Sequence, residues 1–478
     1  MSLDLFFLEL CEEIERTFPV ADWRCGDVRI WPLARLDLYL DLYWQRWGGR
    51  PSGPSRRVSR AIELAGRPFT NLWHQREDPS RLLWRPQKAD AIFLGDGVSA
   101  DPIDGVWEDR YGEPLMAQLE ADGRSSFMMQ AGDLRRAPWR RPVFAANLIE
   151  SAGQILARRF TAPLDLPGHA DVLKSLAGNG IATESLQGPR LARRAAVLRA
   201  NAFLFERLLE RVKPRLAFAS TWYAGLGPAF LLACRRQGVL SVDLQHCPQR
   251  GTHKAYRWAA LPEEGYALLP AVFWTWDETE AGHIREWASG PWHRALAGGN
   301  PRRDVFLEEG NPQVWAYDAR IGAGGFERNI LVALQTLNGS EAVWDGLVKA
   351  IESSPPEWRW WIRRHPAARP EDDARYGRLL TLRAPTIQID DACSLPLPAL
   401  LRHMSAVLSV SSGVGAEAAL FGVPSLQLDE NAPALLARLA ELPARPKRPP
   451  AMRRPDPGFA LSLLDGLARD YAVLCAGA

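Results

Sequence analysis

The chain has 478 residues, 47% of them hydrophobic and 24% charged, with 58 basic side chains against 56 acidic ones. That length exceeds what one hydrophobic core serves, so two or three domains are expected. A net charge of +2 lacks the strong basic excess of a dedicated nucleic-acid binder, so no nucleic-acid partner is expected.

Leu3 to Phe18 has the spacing of an amphipathic helix, and acids interrupt its apolar residues, unlike a signal peptide. The six cysteines show neither metal-ligand spacing nor a disulfide framework, which fits reduced thiols in a cytoplasmic protein. Residues 48–59, GGRPSGPSRRVS, read as a flexible basic loop. Ala89 to Leu94 is a short strand that runs into Gly95-Asp96-Gly97. Asp96, Asp101, Asp104, Glu108 and Asp109 then form an acidic stretch that reads as a solvated loop. Asn147 to Phe160 and Arg190 to Val212 are helical by apolar spacing. The uncharged run Leu216 to Cys234 approaches the roughly 20 residues a membrane span needs. Ser220, Thr221, Tyr223, Gly225, Gly227 and Pro228 break it into a strand, a turn and a buried helix.

Alternation then becomes regular. Arg215 to Ser220 is a strand, Gly225 to Gln237 a helix, and Val239 to Leu244 a strand leading into Gln245-His246-Cys247-Pro248. Val272 to Trp276 and the helix Glu278 to Trp287 follow. Gly298-Gly299-Asn300-Pro301 reads as a boundary. Beyond it come strands at 329–334, 358–363, 386–389, 406–410 and 425–428, with helices between them. Strand and helix in alternation argue for βαβ units in a parallel sheet, hence a doubly wound, Rossmann-like domain. Residues 444–455 form a basic, proline-rich linker that suits a solvated connection and peripheral contact with an anionic membrane surface equally well, and a last amphipathic helix covers Phe459 to Leu474.

Ligands of open α/β sheets bind beyond the carboxyl ends of the strands. There the second series carries Gln335 with Asn338, then Arg364, His365 and Pro366, then Ser411, Ser412 and Gly413. Glu417 lies in the first turn of the helix after Gly413. Hydroxyls, backbone N–H groups and a helix N-terminus favour an anion. The inventory suits a nucleotide, with phosphate on the serines and Gly413, and base and ribose on His365, Glu417 and Gln335. Taken alone, Ser411 and Ser412 serve equally well as a helix cap. No P-loop motif is present, and no two aspartates stand one residue apart, so no metal clamp of the Asp-x-Asp kind is expected.

These motifs resemble GT-B glycosyltransferases of the bacterial surface-polysaccharide type. CMP-sugar sialyltransferases and polysialyltransferases carry a His-Pro and a Ser-Ser motif, and His365-Pro366 with Ser411-Ser412 are similar to both in order and placement. Capsule and O-antigen β-Kdo transferases and CDP-glycerol transferases show a Gln-His-Gly, a Gly-x-Pro and a Gln, which Gln245-His246, Gly299-Asn300-Pro301 and Gln335 resemble. Cys247 stands where the glycine is usual. The resemblance spans Arg215 to Leu428, and residues 1–200 match no family pattern.

The resemblance implies two Rossmann-like domains facing a central cleft. Residues 1–298 would bind the acceptor, 299–443 the nucleotide sugar, and 444–478 would be the linker and a helix packing back. It implies metal-independent transfer of Kdo or a related acidic sugar from a CMP-sugar to a glycan or glycolipid acceptor, at the cytoplasmic face of the inner membrane. Apart from the donor, no cofactor is implied. A CDP-glycerol or UDP-sugar transferase of the same fold, or an inactive glycan-binding scaffold, are the alternatives. For the group that activates the acceptor, Asp243 near a strand end comes first, with His246 and His253 beside it and Glu150, Glu184 and Asp96 further off.

Overall fold

The computed structural model describes residues 3–46, 87–97, 99–103, 105–132, 138–247, 249, 251–288, 290–308, 310–335, 341–365, 368, 370–410, 413–428, 433–444 and 455–477. The basic loop at 48–59 and nearly all of the basic linker at 444–455 lie outside the described residues. The chain divides into two compact units. One is Met1–Ala100 with Trp107–Gly299 and Pro455–Ala478, and the other is Asp101–Val106 with Asn300–Arg454.

The first unit is built on a seven-stranded sheet. In chain order its strands are β1 (Ala91–Gly95), β2 (Ser126–Gln130), β3 (Val143–Ala145), β4 (Leu216–Ala219), β5 (Leu240–Leu244), β6 (Val272–Thr275) and β7 (Arg294–Ala297). They lie in the order β7-β6-β5-β4-β1-β2-β3 and every pair is parallel. Strands β1, β4, β5 and β6 are buried along their whole length. Burial on both faces explains why they read as apolar runs. The long helix Gly188–Val212 buries Leu191, Ala195, Phe205 and Leu209 in one core beneath the sheet. The C-terminal helix Pro457–Gly477 buries Leu461, Leu464 and Tyr471 in the other, with Leu240 and Val272.

Among the described residues, the first hundred add the helices Leu3–Thr17 and Trp31–Arg46, joined to the same core. Arg35 and Glu15 form a buried ion pair at 3.1 Å there. The Arg35 guanidinium also lies 4.1 Å from the Trp258 ring. Removing either partner of such a pair strands a buried charge, which typically costs about 3–5 kcal/mol.

The acidic stretch departs from its solvated-loop expectation. Val106–Asp109 is a strand, and Glu108 and Asp109 are 3% and 2% exposed. Glu108 pairs with Arg140, while Asp109 accepts hydrogen bonds from the Tyr111 and Gly112 N–H groups. Partners supplied from elsewhere in the fold turn a polar sequence inward.

The second unit holds β8 (Arg328–Ala333), β9 (Trp358–Arg363), β10 (Ile387–Gln388), β11 (Ala406–Ser409) and β12 (Ser425–Gln427). Their order is β10-β9-β8-β11-β12, again all parallel. Alternation along β9 sends Trp360 into one core and Trp361 into the other. Arg328 spends its guanidinium on the carbonyls of Leu439, Ala440 and Leu442, which end the helix Pro433–Glu441.

Both sheets are therefore doubly wound, with strand orders that reverse between β1 and β4 and between β8 and β11. Each forms a Rossmann-like α/β unit, as the strand and helix alternation anticipated. The uncharged run 216–234 resolves into β4 and the helix Gly227–Arg236. No helix among the described residues is long and apolar enough to cross a membrane.

Candidate active site

Doubly wound sheets bind ligands beyond the carboxyl ends of their strands, at the reversal of strand order. In the second unit that point lies between β8 and β11. Register places Ala333 beside both Arg363 and Ser409, so the chain leaves all three strands at one level. Gln335, Arg364, His365, Gly413 and Glu417 therefore share one edge of the sheet. Asn338, Pro366, Ser411 and Ser412 lie outside the described residues.

The Gln335 carbonyl accepts the Tyr376 hydroxyl at 2.5 Å, which ties the segment 370–381 to this edge. Arg363 and Arg364 divide their tasks. Arg363 is buried and donates to the carbonyls of Ala392 and Leu395, holding the helix Asp390–Ser394. Arg364 turns outward, its side chain 42% exposed, and pairs with Asp373 at 3.0 Å. His365 is half-buried, and its carbonyl accepts the Ala368 N–H. Gly413 precedes the helix Val414–Leu420, which carries Glu417 in its first turn. Gly415 lets that helix approach β12, because a Cβ there would meet Ser425 Oγ at 2.6 Å.

In the first unit the reversal lies between β1 and β4. Thr221, just past β4, donates its hydroxyl to Asp96 Oδ2 at 2.7 Å across that point. Asp96 Oδ1 accepts the Ser99 N–H. Asp96 and Thr221 are both half-buried and reach the surface. Behind them lie Asp109 and the fully buried Gln130 at the end of β2. Gly95 makes room for both, because a Cβ there would come 2.1 Å from Gln130 Oε1 and 2.6 Å from Asp109 Oδ2. Burial pushes the Asp109 carboxyl up to about 7, against the pull of the Gly112 N–H.

Beyond β5, His246, His253 and Tyr223 form a directional chain. Ala255 N–H donates to His253 Nδ1 at 3.2 Å, so His253 carries its proton on Nε2, 3.4 Å from Tyr223 Oη. The Tyr223 hydroxyl in turn donates to His246 Nε2 at 3.0 Å, and the other side of that imidazole is turned to the Leu244 carbonyl. The hydrogen-bond network assigns these tautomers. Tyr111 donates to the His246 carbonyl at 2.6 Å and fixes the loop from the far side. Burial lowers the pKa of His246 to about 4 and pushes His253 well below its usual value.

Asp243 lies within this group but points inward, 1% exposed. Trp222 N–H donates to its Oδ1 at 3.2 Å and the Tyr256 hydroxyl to its Oδ2 at 2.7 Å. Burial raises its pKa to about 8, opposed by those two hydrogen bonds. Both oxygens are thus engaged within the protein. Gln245 does similar internal work, accepting the Trp276 N–H and donating to the Cys247 carbonyl. Glu150 and Glu184 sit on the helix Asn147–Leu156 and on the short turn Glu184–Leu186.

Tyr223, Lys254, Tyr256 and Thr221 carry no motif, and the sequence reading assigned none of them a role. Their one signal was position, since Thr221 and Tyr223 follow a strand end. Two surface recesses lie elsewhere. One of about 550 Å³, lined by Leu240, Val272, Arg294 and Tyr471, opens at the amino ends of β5 to β7. The other, of about 750 Å³, lies at the amino ends of β1 and β2. The first is walled mostly by apolar side chains, and in the second Glu120 and Arg141 are paired with each other.

No family model matches the chain, and no curated protein sequence matches it. Solved structures similar to it include the UDP-GlcNAc 2-epimerase of Methanocaldococcus jannaschii, 12% identical, with a TM-score of 0.44 over 79% of this chain and 99% of that one. The UDP-GlcNAc 2-epimerase of Neisseria meningitidis bound to UDP-GlcNAc is 12% identical, with a TM-score of 0.42 over 73% of this chain and 85% of that one. Arabidopsis thaliana UGT89C1 complexed with UDP is 13% identical, with a TM-score of 0.38 over 81% of this chain and 90% of that one.

Proposed function

We propose that this chain is a glycosyltransferase that takes a sugar from a nucleotide-sugar donor held by the second unit. One observation carries the reading. Gln335 and Gly413 stand astride the strand reversal of the second sheet, with Arg364, His365 and Glu417 along the same edge. That is where a doubly wound sheet holds a nucleotide. Arg364 supplies positive charge to a phosphate, His365 supplies a hydrogen bond, and Glu417 accepts from a ribose hydroxyl. The donor we favour is a CMP-sugar carrying Kdo or a related acidic sugar, delivered to a surface polysaccharide or glycolipid. The motif His365-Pro366 with Ser411-Ser412 supports that choice over CDP-glycerol or a UDP-sugar.

In the reaction the acceptor hydroxyl loses its proton to a carboxylate of the first unit. Asp96 is better placed for this than Asp243, because it reaches the surface at the strand reversal while Asp243 faces the interior. Thr221 and the Ser99 N–H hold that carboxylate in place. The leaving CMP phosphate carries its charge away on groups of the second unit, a stabilisation that preorganised donors supply.

The test is a thermal-shift panel of the full chain with CMP, CDP, UMP, UDP and GDP, with and without magnesium. A ligand that binds only the folded state raises its stability by mass action. A metal-independent rise with CMP alone is expected. A rise with UDP or CDP instead replaces the donor, and no rise with any nucleotide refutes the reading and favours a glycan-binding scaffold.

A further inference from the structure

The first unit holds an ammonium group that forms no ion pair among the described residues. Lys254 is half-buried, and its ammonium lies 4.7 Å from the centroid of the Tyr39 ring and 5.5 Å from that of Tyr223. Among the described residues it makes no ion pair and no hydrogen bond through Nζ. Asp4 is the carboxylate that acts on it, and it does so from beyond ion-pair distance. Cation–π attraction to two tyrosine rings holds the ammonium in place and leaves its N–H donors unspent. Beside it stand His253 and His246, joined through the Tyr223 hydroxyl.

We propose that Lys254, His253 and His246 form an oxyanion site on the first unit, suited to a carboxylate or a phosphate group carried by the acceptor. The word acceptor rests on the glycosyltransferase reading, while the anion site itself does not. The position is right for a substrate group, because Tyr223 and His246 follow adjacent strands at the carboxyl edge where Asp96 and Thr221 also stand. The chemistry is right as well. Lys254 offers a point charge with three donors, and either imidazole adds positive charge beside it on protonation. Tyr39 and Tyr223 supply flat faces that a saccharide ring can lie against.

Proton linkage gives the site a signature. Burial holds both histidines below their usual pKa, and Lys254 adds to this in each case. An anion placed among them favours their charged forms, so binding takes up protons and tightens as pH falls. Other titratable or charged groups facing the cluster are Asp96 and Arg110 near His246, Asp243 near Tyr223, Cys247 near Lys254 and Tyr223, and Asp4 from the N-terminal helix. Asp96 and the Leu244 carbonyl draw His246 toward the charged form.

The experiment is isothermal titration calorimetry on the full chain, with glucuronate, inorganic phosphate and neutral methyl glucoside as probes, at about pH 6 and about pH 8. We expect glucuronate or phosphate to bind and methyl glucoside not to. One proton taken up per anion makes affinity change by up to about tenfold per pH unit. Lys254→Met should weaken binding about tenfold or more, and Lys254→Arg, which keeps the charge, should retain it. His253→Gln should flatten the pH dependence while binding persists. Glucuronate binding alone assigns a carboxylate, and phosphate binding alone assigns a phosphate. No binding of either anion at about 10 mM, or binding undiminished in Lys254→Met, overturns the site. Nucleotide binding is measured separately, so a failure there refutes the glycosyltransferase reading and leaves the anion result standing.

Discussion

Replacing Asp243 by asparagine removes one titrating proton from the core of the first unit and little else. An asparagine keeps an oxygen for the Trp222 N–H and offers an amide hydrogen to Tyr256 Oη. The consequence for stability follows from linkage. Burial pushes the Asp243 carboxyl up to about 8 in the fold, against 3.8 for an unburied aspartate. Between those values the folded chain holds a proton that the unfolded chain has released. Stability must therefore fall as pH rises, by up to about 1.4 kcal/mol per unit. From about pH 5 to about pH 7 the loss amounts to about 2.7 kcal/mol, and it ceases to grow above the folded pKa. Asp109, at about 7, adds a loss of the same sign. His246 and His293, held near 4, act oppositely below the 6.5 of an unburied histidine. The informative quantity is thus the difference between the parent and Asp243→Asn, from urea unfolding at a series of pH values. The variant should gain on the parent as pH rises through that window. Parallel curves would show that Asp243 is ionised in the fold and would refute the argument. Transfer activity in the same variant decides its chemical role, because an amide cannot act as a base.

Asp96→Asn should lower transfer by about 10²- to 10⁴-fold with nucleotide affinity unchanged, and full activity would remove Asp96 from the reaction. His365→Ala should weaken CMP binding by about tenfold to a hundredfold, the range for a hydrogen bond to a charged group, without lowering the thermal midpoint. Equal affinity in calorimetry would displace the nucleotide from that strand end. Gly298→Ala places a Cβ 1.9 Å from Trp274 Cε2, beside the hydrogen bond from that indole to the Gly299 carbonyl. Overpacking of this kind costs about 1–3 kcal/mol, so a thermal midpoint equal to the parent's would show that Trp274 can move.

Much of the scaffold is legible in the chain because strands buried on both faces must be apolar along their length. The runs 91–95, 216–219, 272–275 and 406–409 declare themselves in that way, and the edges where they end follow directly. Placing Gln335, His365 and Gly413 near strand ends needed nothing more. The strands Ser126–Gln130 and Val143–Ala145 were not legible, since the first mixes polar and sulfur-containing residues and is made strand by β1, while the second is three residues long and is made strand by β2. Strand order was equally hidden, and with it the reversals between β1 and β4 and between β8 and β11.

Residue type and local spacing thus determined the elements, their alternation and the polar groups at their ends. Tertiary structure decided which of those groups face inward. It turned Asp243 onto Trp222 and Tyr256, buried Asp109 behind Gly95, and set Lys254 over Tyr39, more than two hundred residues away in sequence. Those outcomes depend on desolvation and on partners brought from distant segments. Neither is a property of a short stretch of chain.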